Sequence, residues 1–327
     1  MVLQHIRVIP LADESLGVRS MCTYVETPDV KILLDAGVSL CPRREGLPPH
    51  VEEFKAVRDA RKKIIGYARK ADVITVSHYH FDHFTPGFAS HYEWTSEDTY
   101  VEIYSNKILL IKDPVNNINF NQKKRAHVFT KLVKDIVSEL KVADEVQMEF
   151  GKTVVKFSPP LPHGPDDTKL GYVLVISVEY DGVEKLVFAP DVQGPISDKS
   201  YSYIASEVPD LLILGGPPTY LRGRKLSEDN LAKALDNLSR LALLSRITVV
   251  SHHMLRDCEW KRYLEDLFKK AEKHRRRIVT AAEFLGEENR FLEANRKKLF
   301  EENPPSEEFM KWINLPKEEK AKVAPPI

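Results

Sequence analysis

The sequence predicts an α/β fold, and three observations predict it. Short apolar, β-branched runs such as Val73-Ile74-Thr75-Val76 read as buried strands, and they alternate with stretches of helical apolar spacing. Chemistry-bearing residues follow directly on several of those runs, where α/β proteins place their sites, outside the carboxyl ends of strands. A chain of 327 residues, 43% hydrophobic and 29% charged, is long enough to bury a large core as one big domain or two modest ones.

Taken in order, His5–Pro10 reads as a first strand, with Met21–Thr27 and Val30–Asp35 as the next two around a Pro-Asp turn. A proline-bearing loop over 40–50 leads into a basic helix, Val51–Lys70, and then to the Val73–Val76 strand. Val101–Ile111 resembles a hairpin around Ser105-Asn106-Lys107. Val128, Leu132, Ile136 and Leu140 form one stripe of a helix over 122–141, flanked by lysines that read as a solvated face. Val154–Phe157 is a strand, and Gly171–Tyr180 with Glu184–Ala189 form a hairpin closed by Asp181-Gly182. Asp210–Leu214 and Ile247–Val250 are buried strands on either side of a helix capped by Ser227. A helix carrying Trp260, Leu264, Leu267 and Ala271 and a strand at Arg277–Thr280 follow. We expect a main domain over 1–285, with an insert at about 84–150, and a short helical appendage over 286–327.

Composition narrows the function. Forty-eight basic residues balance forty-eight acidic ones, so charge gives no case for wholesale nucleic-acid binding, although a local basic patch is compatible with it. Three widely spaced cysteines, Cys22, Cys41 and Cys258, imply no disulfide framework, and we expect a reduced, cytoplasmic protein. We expect no signal peptide and no membrane span.

The stretch that carries chemistry is His78-Tyr79-His80-Phe81-Asp82-His83, directly after the Val73–Val76 strand. On an extended chain His78 and His80 face the same way, whereas Asp82 and His83 are adjacent and need a turn to act together. That spacing suits two neighbouring metal ions better than one. Three histidines in six residues, of 11 in the chain, are too concentrated for ordinary core or surface imidazoles.

HxHxDH after a strand resembles the signature of the metallo-β-lactamase superfamily, and the chain as a whole looks most like an archaeal family of predicted metal-dependent hydrolases. The resemblance covers roughly 1–285 and implies a four-layer αββα sandwich. It implies that His163, in the stiff loop Ser158–Pro165, joins His78 and His80 on one ion. Asp82 and His83 take the other ion together with a terminal histidine, for which both His252 and His253 qualify. Asp191, at the end of the Glu184–Ala189 strand, would bridge them, and Asp35 would orient ligands by hydrogen bonding. The implied cofactors are two divalent ions, most simply Zn²⁺, with Fe or Mn as alternatives. The implied activity is hydrolysis by a metal-bridging hydroxide, with Asp82 and Asp191 catalytic, on a phosphodiester or an ester, thioester or lactone. A small-molecule or nucleotide-type substrate would be contacted by Thr219 and Tyr220. The alternative is a di-iron redox or sensing protein on the same fold. The sequence leaves the leaving-group acid and the oligomeric state open.

Overall fold

The computed structural model describes residues 3–327. Two mixed sheets lie face to face. The first has the order β1 (Arg7–Pro10), β2 (Thr23–Glu26), β3 (Lys31–Leu34), β4 (Val73–Val76), β5 (Ile108–Ile111) and β6 (Glu139–Val142). Its β1–β2–β3 half is antiparallel, and β3 through β6 run parallel. The second sheet begins with β7 (Gln147–Phe150) and β8 (Thr153–Phe157). A two-residue ribbon, β9 (Leu161–Pro162) with β10 (Tyr172–Val173), interrupts the chain before β11 (Ile176–Tyr180), β12 (Glu184–Ala189), β13 (Leu211–Gly215), β14 (Ile247–Ser251) and β15 (Arg277–Val279) complete that sheet. Pairing is antiparallel from β7 through β12 and parallel from β12 through β15.

Side-chain alternation makes the layers. Ile32, Leu34 and Val73 of the first sheet meet Phe157, Ile176, Phe188, Leu211 and Ile213 of the second in one buried cluster. Their neighbours Leu33, Ile74, Val76 and Leu109 point outward, onto Phe54, Val57 and Ile64 of α1 (Val51–Ala68). After α2 (Thr99–Tyr104), helix α3 (Phe120–Val133) covers the same outer face with Ala126, Phe129 and Val133. Val187, Leu212, Leu214 and Val250 point out of the second sheet. They pack on α4 (Asp198–Ser206), α5 (Glu228–Leu244) and α6 (Glu265–Lys273) through Ile204, Leu238, Leu241 and Leu267. Strands buried on both faces explain why the central strands read as unbroken apolar runs rather than alternating ones. The fold is the four-layer αββα sandwich that the resemblance implied.

Two elements differ from the sequence reading. Val101–Ile111 is no hairpin: α2 precedes β5, which pairs parallel with β4. Ile103 and Tyr104 fall on the buried side of that short helix, and Asn106 turns the chain at φ 60°. The helix expected over 122–141 stops at Val133, and 139–142 forms the edge strand β6. Ile136 and Leu140 keep helical spacing, but the Ile136 carbonyl accepts from Asn106 N at 2.8 Å, which commits that segment to the sheet. The stretch expected as an insert, 84–150, thus supplies β5, β6 and β7.

Following α7 (Ala281–Leu285), the chain from 286 onward packs against α1. Helices α8 (Arg296–Glu302) and α9 (Glu307–Ile313) carry the contacts, and α10 (Lys317–Lys322) meets the 88–92 stretch, where His91 Nδ1 lies 2.7 Å from the Lys320 carbonyl. Trp312 meets Phe54 edge-on, with ring centroids 5.2 Å apart. Arg296 reaches the buried Glu53 carboxylate at 2.7 and 2.8 Å.

Candidate metal centre

Four strand ends and one loop converge at one edge of the sandwich. β3 delivers Asp35, β4 delivers the His78–His83 loop, β12 delivers Asp191 and β14 delivers His252 and His253. The ribbon β9–β10 brings His163 to the same point. Asp35, Asp191 and His252 adopt left-handed φ values of 51°, 52° and 62°. Such backbone costs on the order of 1–3 kcal/mol per non-glycine residue and concentrates at functional sites. Gly37 lets the metal loop close over β3: a Cβ there would lie 2.3 Å from the backbone nitrogen of His83.

Asp191 is the centre of the arrangement. Its Oδ2 lies 2.9 Å from His78 Nε2, 3.7 Å from His80 Nδ1, 3.7 Å from His163 Nε2 and 3.3 Å from His83 Nε2. Its Oδ1 lies 2.9 Å from His252 Nε2 and 3.0 Å from His253 Nε2. His252 Nε2 is also 3.6 Å from Asp82 Oδ2. Two sets of donors that share no residue result, His78–His80–His163–Asp191 and Asp82–His83–His252; Asp191 reaches both, His253 joins Asp191 and His252 in an overlapping set, and Asp35 joins His78 and His83 in another.

These residues fit metal ions. Asp191 Oδ1, His83 Nε2 and His163 Nδ1 are buried without a hydrogen-bond partner among the described residues, despite the short approaches to the first two. Donors that crowd together without hydrogen-bond alignment are arranged as ligands are. Around an ion with Zn–N near 2.0–2.1 Å, tetrahedral neighbours sit roughly 3.3 Å apart. The electrostatics agree. Burial, above all, holds His78 well below the usual histidine range, His163 down to about 3 and His253 down to about 4. Burial opposes charge on His252 as well, but Asp191 and Glu14 outweigh it and raise that group to about 9. On His83 the carboxylates of Asp191 and Asp35 likewise prevail over burial. Asp82 and Asp191 stay ionised: burial opposes it, and the surrounding imidazoles prevail. The cluster therefore demands positive charge, which protons on His83 and His252 supply and metal ions would displace.

Supporting groups set the ligand directions. Asp35 Oδ2 takes His83 Nδ1 at 2.8 Å and Oδ1 accepts from Ser77 N at 2.8 Å, so His83 turns Nε2 to the cluster. Glu14 does the same for His252, with Oε1 at 3.0 Å from Nδ1. Arg256 joins Glu14 at 2.8 Å and lies 3.7 Å from Asp82 Oδ2. Gln122 of α3 approaches His80 Nε2 at 3.4 Å. Sequence reasoning missed Glu14, Arg256 and Gln122. Only Arg256 left a signal, since it stands three and four residues beyond His253 and His252, the spacing of one helical turn. Thr219 and Tyr220 form a turn that packs on the 252–256 turn. The Thr219 hydroxyl is buried, and the Tyr220 ring lies beneath the Arg44 guanidinium at 4.4 Å.

Fold and cluster together define a protein of the metallo-β-lactamase fold with a His/Asp site able to hold metal ions. The chain belongs to the UPF0282 family of archaeal proteins. It is 45% identical over 294 residues to the UPF0282 protein of Methanopyrus kandleri, covering 90% of this chain and 98% of that one. It is 48% identical over 294 residues to the relative in Methanocaldococcus jannaschii, covering 90% and 96%. No family model matches the chain. Among solved structures, unliganded yeast PDE1 aligns with a TM-score of 0.52 and 13% identity over 85% of this chain and 98% of that one, a likeness of fold alone. A diphosphatase from the PhnP family aligns at a TM-score of 0.46 and 13% identity over 76% and 87%. No helix among the described residues is long and apolar enough to cross a membrane.

Proposed function

We propose that the protein is a binuclear metal-dependent hydrolase. One observation carries the reading: Asp191 presents Oδ2 to His78 and Oδ1 to His252, each at 2.9 Å, as a carboxylate bridging two ions does. His78, His80 and His163 would hold one ion, and Asp82, His83 and His252 the other. Five imidazoles against two carboxylates favour Zn²⁺ over iron, which speaks for hydrolysis rather than redox chemistry. Bound there, two divalent ions would supply Lewis acidity and a water acidified to a pKa of roughly 7.

The chain's own groups do the rest. Asp82, with 15% of its side chain exposed, would orient the attacking water. Asp35 and Glu14 keep two histidines in the tautomer that presents Nε2 to the cluster. Phe81 of the metal loop also lines a groove of ≈ 320 Å³ with Phe84, Phe88, Val128, Lys124 and Arg125, Arg125 stacking over Phe81 at 4.4 Å; none of the candidate ligands lines that groove. That mixture suits a substrate with an apolar body and a negative charge, such as a phosphodiester.

The experiment is a substrate panel assayed with Zn²⁺, Mn²⁺ and Fe²⁺: bis(p-nitrophenyl) phosphate, thioesters, lactones and short RNAs. Turnover of one class, abolished by Asp191→Ala, is the expected result. Inactivity on every class, with two irons bound per chain, would move the protein to the redox reading.

A further inference from the structure

We propose that Arg256 fixes His253 as a neutral imidazole with its proton on Nε2, so that His253 serves the site as a hydrogen-bond donor to the reacting oxygen of the substrate rather than as a metal ligand. The proposal rests on the hydrolase reading for its substrate, and on separate geometry for the tautomer. A guanidinium has five N–H donors and no acceptor. Arg256 Nη1 lies 3.0 Å from His253 Nδ1, so that nitrogen accepts and carries no proton. The single proton of the neutral ring is then on Nε2, which has no lone pair left for an ion.

His252, the preceding residue, is held the opposite way. Its Nδ1 faces the Glu14 carboxylate at 3.0 Å, and a carboxylate only accepts. Nδ1 therefore donates, and Nε2 presents its lone pair between Asp191 Oδ1 at 2.9 Å and Asp82 Oδ2 at 3.6 Å. Arg256 Nη2 also lies 3.2 Å from both ring nitrogens of His252, so it is the Glu14 carboxylate on His252 Nδ1, not the guanidinium, that distinguishes the two adjacent rings. Exposure separates them too: 16% of the His253 side chain meets solvent against 1% for His252. His253 Nε2 is 3.0 Å from Asp191 Oδ1, an acceptor, which agrees with a proton on Nε2 and aims that N–H at the cluster where a substrate oxygen would arrive. A preorganised donor beside the metals would steady charge developing on a substrate oxygen or leaving group. Arg256, itself 3% exposed, is a positioning residue that acts through His253.

The test combines nitrogen-resolved NMR of histidine-labelled protein, with and without Zn²⁺, and metal content of variants. The His253 ring, assigned by its absence from the H253Q spectrum, is expected to show the Nε2–H tautomer in both states. His253→Gln, whose side-chain amide can donate near the same place, is expected to keep both metal equivalents, whereas His252→Gln loses one. His253→Ala is expected to lower kcat by roughly 10²-fold, the usual cost of one such donor, and His253→Gln to recover part of it. An Nδ1–H tautomer in the loaded protein, or loss of a metal equivalent in His253→Gln, overturns the proposal. If no substrate turns over while tautomer and metal content are as expected, the hydrolase reading fails and the donor role with it, since no reacting oxygen remains for His253 to serve.

Discussion

Glu14 Oε1 sits 3.0 Å from Nδ1 of His252, a residue 238 positions further along the chain. The pair repeats, within the same donor set, what Asp35 does for His83 at 2.8 Å. Carboxylates that orient metal-binding imidazoles typically contribute 10–100-fold to affinity. Glu14→Gln and Asp35→Asn are each expected to weaken one ion by about that factor while the His78–His80–His163 ion stays in place. Competition with a chromophoric chelator reads the two affinities separately.

Asp191 touches both donor sets, so its substitution should not be selective. Asp191→Asn removes the shared charge and is expected to leave less than one equivalent of metal after reconstitution, measured by elemental analysis of gel-filtered protein. Retention of a full equivalent would mean that Asp191 belongs to one ion only.

Metal uptake should release protons. The metal-free protein holds His252 protonated up to about 9, against 6.5 for an ordinary histidine. A histidine with a raised folded-state value stabilises the metal-free fold fully below the unfolded value and loses that contribution as pH rises through the folded one. Between roughly pH 6.5 and 9 the metal-free protein should therefore weaken at this group, while apparent metal affinity climbs. Calorimetric titrations in buffers of different ionisation enthalpy are expected to show proton release at pH 7 that fades above 9; proton uptake would contradict it.

The C-terminal segment is tied to the body by charge as well as by Trp312. Arg19 holds Glu293 through two contacts of 2.6 and 2.5 Å. Burial works against ionised Glu293, but Arg19 outweighs it and brings the carboxyl down to about 2 from 4.5. A depressed carboxyl stabilises the fold above its unfolded value and loses that contribution as pH falls through the folded one. Glu293→Gln is expected to cost about 2–3 kcal/mol at pH 7, with the difference from wild type shrinking below pH 4.5. Urea denaturation at pH 7 and pH 3 measures both.

The metal loop was readable because its chemistry is local: His78, His80, Asp82 and His83 follow one strand within six residues. Asp191 and the His252–His253 pair could be brought to the same edge because each follows an apolar run that is buried on both faces. Glu14 could not, since an acidic residue in a loop after β1 looks like any other until the fold carries it to β14. The different surroundings of His252 and His253 also needed the fold, because adjacency alone does not say which ring meets the Glu14 carboxylate. The misreadings at 101–111 and 134–141 share one cause. Parallel strands take their partners from distant segments, so local spacing around β5 and β6 carried no mark of the pairing.

Whether Asp191 bridges two metal ions can be read from one map. Anomalous diffraction from crystals of the reconstituted protein, recorded at the absorption edge of the bound metal, tests it most directly. Two peaks about 3.5–4 Å apart are expected, one within the His78–His80–His163 set and one within the Asp82–His83–His252 set, with a carboxylate oxygen of Asp191 on each. A single peak, or two peaks without Asp191 between them, would contradict it.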